Sequence, residues 1–105
     1  MPIIYVRMRL DEFRNSLVDD RPPEKLSLPL AALWWDAKGD WNKAHACAQQ
    51  DEESPAGTWV HAYLHRKEGD LSNAGYWYRR AARPAATVSL EAEWATIAEA
   101  LLEQT

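Results

Sequence analysis

Two histidines one helical turn apart, His61 and His65, are followed by Glu68, which sets two imidazoles and a carboxylate at i, i+4 and i+7. On a helix these positions share one face, and two imidazoles one turn apart can hold a metal ion between them. His45, on the helix expected to pack alongside, offers a further ligand. The pair lacks the Glu directly after the first His that a metalloprotease helix uses as general base. The chemistry on offer is therefore ligation, not metal-assisted hydrolysis. Both histidines also fall where helix must pack on helix. Packing is the preferred reading, so no metal or other cofactor is expected and His61, His65 and Glu68 stand as the metal candidates.

Other reactive types are sparse. Tyr76, Trp77, Tyr78, Arg79 and Arg80 put stacking faces beside cations, as single-stranded nucleic-acid surfaces do. Five consecutive residues point all around a helix, however, so Tyr78 belongs to a packed face and the arginines to solvent. Cys47 is the only cysteine, which excludes an intrachain disulfide and a thiolate-based zinc site. It sits among alanines as a small hydrophobe would. Neither a phosphate-binding Gly-rich loop nor a Gly-x-Ser-x-Gly elbow occurs, and the expectation is a non-enzyme.

The elements that position these groups read as helices. Residues 1–10 alternate, with Ile4, Val6, Met8 and Leu10 opposite Tyr5, Arg7 and Arg9, which predicts a short extended arm ahead of a single domain over residues 11–105. Residues 11–18 form a short helix. From Leu28 an apolar helical pattern runs to Gly39-Asp40, where Gly supplies a left-handed stop and Asp caps the next helix, Trp41 to about Gln50. After an acidic turn, a helix from Thr58 to Glu68 ends at a second Gly69-Asp70. The next runs from Leu71 to about Arg83, ahead of Pro84. Ser89 caps the last helix, whose stripe is Leu90, Trp94, Ile97, Ala98 and Leu101.

The two Gly-Asp turns lie 30 residues apart, and the register extends beyond them: Ala32 falls on Ala62, Trp35 on His65, Trp41 on Leu71 and Ala44 on Ala74. Small residues recurring where two helices approach closely are the mark of stacked helical hairpins. The pattern resembles the tetratricopeptide repeat, in Ala62, Gly69, Asp70, Ala74, Tyr78 and Ala81 of the second unit and Ala32, Trp35, Gly39, Asp40, Trp41, Ala44 and Ala48 of the first. His65 and Leu71 depart from its aromatic slots, Asp51 stands where its last Ala would be, and the spacing falls short of the usual 34 or so residues. The stretch HAYLHRKEGDLSNAGYWYRRA is also similar to small bacterial proteins of unknown function. The resemblance implies an all-α chain of about five helices in stacked antiparallel hairpins with a C-terminal closing helix. It also implies a concave face for a peptide or partner helix, made of Leu33, Asp36, Trp59, Tyr63, Arg66 and Lys67, where Arg66 and Lys67 would meet a carboxylate.

Size and charge agree with a binding module. The 105 residues suit one core, and six tryptophans give that core large aromatic packing area. A net charge of −4 opposes general nucleic-acid binding, and the basic run over residues 60–84 is matched by Glu91, Glu93, Glu99 and Glu103 on the last helix. Without a signal-peptide pattern or membrane-length apolar stretch, a cytoplasmic protein is expected. The function expected is non-catalytic protein interaction on the concave face. A small-molecule or metal site at His61, His65 and Glu68 is the alternative, and a homodimer through the arm or the solenoid ends is left open.

Overall fold

The computed structural model describes residues 8–104. Helix α1 (Leu10–Asn15) runs into a 3-10 turn (Ser16–Val18), followed by α2 (Leu28–Ala37), α3 (Trp41–Gln49), α4 (Pro55–Glu68), α5 (Leu71–Arg80) and α6 (Leu90–Glu103). The chain is all-α, with six helices packed together and no strand among the described residues. Of the arm expected over residues 1–10, residues 1–7 lie outside the described residues, Met8 and Arg9 are irregular, and Leu10 already opens α1. No helix among the described residues is long and apolar enough to cross a membrane.

Both Gly-Asp pairs make the turns their chemistry predicts. Gly39 and Gly69 take φ of 85° and 91°, a region open to glycine without steric cost. Their amides and those of the following Asp residues return to the last carbonyls of the helix: Gly39 to Asp36, Asp40 to Trp35, Gly69 to Arg66 and Asp70 to His65. The aspartates then cap the next helix, Asp40 accepting from the Lys43 amide at 3.0 Å and Asp70 from the Asn73 amide at 3.1 Å. Each turn thus folds one helix back along the last, pairing α2 with α3 and α4 with α5. Ala32, Ala44, Ala62 and Ala74 are all buried, as the close approach of paired helices requires.

Two boundaries differ from expectation. Helix α4 starts at Pro55 and not Thr58, because Ser54 caps it, its Oγ accepting from the Gly57 amide at 2.9 Å. Pro55 then occupies the first helical position, where the missing N–H has no partner to lose. Helix α5 stops at Arg80 and not Arg83, because Ala82 turns left-handed at φ 55° and the Arg83 amide returns to the Tyr78 carbonyl. A left-handed alanine carries a steric cost of about 1 kcal/mol that glycine lacks. Part of the gain on removing it is offset by glycine's greater freedom in the unfolded chain. Ala82→Gly is therefore expected to raise stability by a few tenths of a kcal/mol, up to about 1, in urea unfolding.

Helix α4 is the axis of the molecule. All nine residues from Gly57 to His65 are buried, so neighbours cover it on every side. Helices α3 and α5 flank one side, while α2 and α6 cover the other. At 100° per residue, His61, His65 and Glu68 fall on one side of α4 and Trp59, Tyr63, Arg66 and Lys67 on the opposite side. Two separate groups of side chains therefore reach two separate interfaces. The segment that docks beneath α2 is fixed by Trp34, whose Nε1 donates to Ser16 Oγ at 3.0 Å, and by Lys38, which donates to the Leu17 and Asp19 carbonyls at 2.7 and 3.0 Å.

Candidate functional site

On the side opposite the histidines, α4 meets the chain's own last helix. The apolar stripe of α6 settles over α2 and α4, with Trp94 Nε1 donating to the Leu33 carbonyl at 2.9 Å and the Trp94 ring stacked on Phe13 at 5.7 Å. Leu33, Asp36, Trp59 and Tyr63, named from sequence as binding positions, are buried. Arg66 is committed to α6: it donates to Glu93 Oε1 at 2.9 Å and also to the Val88 carbonyl. Glu93 accepts a second, short hydrogen bond from the Tyr78 hydroxyl. Trp59 lies apart, with the Arg83 guanidinium 3.8 Å over its ring.

A cleft of about 580 Å³ remains where α6 leaves this side open, between α2, α4, α6 and the α1 segment. Three of the six sequence-named positions line it: Asp36, Tyr63 and Lys67. They form one chain of contacts, Tyr63 Oη donating to Asp36 Oδ2 at 2.7 Å and Lys67 Nζ to Asp36 Oδ1 at 2.8 Å. Asp36 is thereby satisfied on both oxygens although its side chain is 2% exposed, whereas Lys67, at 39%, keeps two further N–H groups for solvent or a ligand. Burial and the neighbouring Asp36 carboxylate push the Tyr63 phenol far up, and burial with Glu93 does the same to Tyr78, so both stay neutral donors. The remaining lining is Arg14, Leu17, Ala37, Leu90, Glu91 and Trp94. Sequence reasoning missed Arg14, Leu17 and Trp94 as site residues. The stripe Leu90-Trp94-Ile97-Leu101 signals that α6 buries a face, but not against which partner.

On the other side of α4, His61 and His65 meet His45 from α3. The His45 and His61 Nε2 atoms lie 3.0 Å apart, and the three residues offer ligand atoms all within 4.8 Å of one another. Glu68 does not join them. Its carboxylate stands 2.6 Å from His65 Nδ1, and because a carboxylate only accepts, His65 Nδ1 carries the proton of that bond. Two indoles wall the cluster, Trp41 stacked on His45 at 4.8 Å and Trp77 on His61 at 3.9 Å.

No protein-family model, curated protein or solved structure matches the chain. What it can do therefore rests on these two geometries.

The other groups weighed from sequence sit elsewhere. Asp40 and Asp70 are helix caps on separate turns. Cys47 is half-buried, and burial pushes its thiol up, away from the reactive thiolate. In the Tyr76–Arg80 run, Trp77 and Tyr78 are buried, while Tyr76 is exposed beneath the Arg80 guanidinium.

Proposed function

We propose that the chain is a non-catalytic protein-interaction module whose recognition site is the cleft between α2, α4 and α6. The observation that carries this reading is the convergence of Asp36, Tyr63 and Lys67 on that cleft. These residues come from the first helices of two successive hairpins, the positions a tetratricopeptide-like arrangement turns toward its ligand. Because α6 occupies most of the concave side, the space left suits an extended peptide segment and not a partner helix. Leu17, Leu90 and Trp94 offer apolar walls for one side chain of the peptide. Lys67 and Arg14 at the edge offer charge to a carboxylate beside it. The expected ligand is thus an extended peptide with an acidic residue next to a large apolar one.

Selection from a displayed peptide library against the purified chain tests this. Enriched peptides should share the acidic–apolar pair. Arg14→Gln, which leaves the Lys67–Asp36 pair intact, should bind them about tenfold more weakly at unchanged helicity, the loss expected for one charged hydrogen bond. Failure to enrich any sequence, or equal binding by Arg14→Gln, would place recognition elsewhere.

A further inference from the structure

The three imidazoles take no part in that cleft, and hydrocarbon packing gives no reason for them to meet. We propose that His45, His61 and His65 bind a divalent transition-metal ion, zinc by preference, with Glu68 as the outer-shell carboxylate that positions His65.

The separations fit an ion. At zinc–nitrogen distances of about 2.0–2.1 Å, tetrahedral ligand nitrogens lie roughly 3.3–3.4 Å apart. The His45–His61 edge, at 3.0 Å, is already at that scale. The remaining separations, bounded at 4.8 Å, close with movements of at most about 1.5 Å, within reach of a side-chain rotation. His45 is the ring best placed to make such an adjustment, by sliding in the plane that Trp41 sets, because it is only half-buried on the outer helix α3. The ring planes are already held. Trp77 lies 11° from parallel to His61 and Trp41 lies 8° from parallel to His45, and Trp41 is itself pinned by its Nε1 donating to the Leu64 carbonyl at 2.9 Å.

The proton arrangement fits as well. Glu68 accepts a hydrogen bond from the Nδ1–H of His65 and so leaves the lone pair of that ring on Nε2, the tautomer selected by the carboxylate–histidine–metal arrangement. An all-imidazole donor set selects zinc, copper, nickel or cobalt over magnesium and calcium. Three protein donors also leave a fourth position for water or an external ligand. A second grouping of His65 with Glu68 and Asp70 is the weaker alternative, because the Asp70 carboxylate is engaged as the α5 cap and both acids are exposed.

The test is zinc titration of the chain after chelator treatment, read by calorimetry and by the ring signals of the three histidines in NMR. Saturation at one zinc per chain, with all three histidine rings shifting, is expected. Glu68→Gln should weaken binding about 10–100-fold, the usual effect of losing an outer-shell partner. His45→Gln should weaken it by more than about 100-fold, since it removes a ligand directly. His45 is partly exposed, so this variant is expected to fold, which circular dichroism checks. Calcium at the same concentrations should bind nowhere near the cluster. The proposal is overturned by absence of saturable uptake, by uptake indifferent to His45→Gln, or by ring shifts that leave any one of the three histidines unmoved. The NMR arm decides even if a variant does not fold.

Discussion

Replacing Glu93 by alanine is expected to cost about 3–5 kcal/mol of stability, a large fraction of the roughly 5–15 kcal/mol that holds a domain folded. The Glu93 side chain is 4% exposed and carries the charge that balances Arg66, itself only 19% exposed. Without it the guanidinium remains in a poorly hydrated position with, among the described residues, the Val88 carbonyl as its remaining hydrogen-bond partner. The Tyr78 hydroxyl loses its acceptor at the same time. The cost is that of stranding partners and not the net worth of the ion pair, because two buried charges also lose hydration when they form the pair. A cycle of variants separates these contributions. Arg66→Met combined with Glu93→Leu removes both charges and retains volume, and it should recover most of the stability lost in Glu93→Ala. If urea unfolding shows the double variant to be no more stable than Glu93→Ala, the stranded-charge account fails and packing against α6 dominates.

Glu93 also shows how far the sequence could be read. The acidic last helix and the basic run before it pointed to mutual compensation, and the Arg66–Glu93 pair supplies one such contact. Nothing in a single sequence, however, says which of Glu91, Glu93, Glu99 and Glu103 faces inward. That depends on the angle at which α6 crosses α2 and α4. The Gly-Asp turns were legible because their chemistry is local, a left-handed glycine followed by a carboxylate three residues before a free amide. The early end of α5 was not, because an alanine at φ 55° gives no signal in composition. The same contrast divides the two sites. His61 and His65 were placed on one face by spacing alone, and the approach of His45 follows from the second hairpin stacking on the first. The cleft required knowledge of where a helix more than 20 residues downstream of Lys67 would lie, which hydrophobic periodicity leaves open.

Acid should destabilise the metal-free chain well before its carboxylates protonate, and His61 should be the main cause. Burial is the largest influence lowering His61 to about 4, followed by the facing imidazoles of His45 on α3 and His65 on α4 and by the Arg80 guanidinium on α5. In the unfolded chain the same imidazole takes up its proton near pH 6.5. Between these values the unfolded state binds more protons than the folded state, so stability rises with pH through this window and is fully present only above about 6.5. On acidification from pH 6.5 to 5 the expected loss is about 1.6 kcal/mol, because the slope grows from half of roughly 1.4 kcal/mol per pH unit at pH 6.5 toward its full value below. His45 is lowered too, chiefly by burial, and adds to the slope in the same direction. His61→Phe keeps a flat ring against Trp77, removes the proton-binding nitrogen atoms and abolishes the buried Nδ1 that lacks a partner. In chelator-treated samples, urea midpoints of this variant should change far less between pH 6.5 and 5 than those of the unsubstituted chain. Parallel pH dependence in the two proteins would show that the acid sensitivity originates outside the histidine cluster.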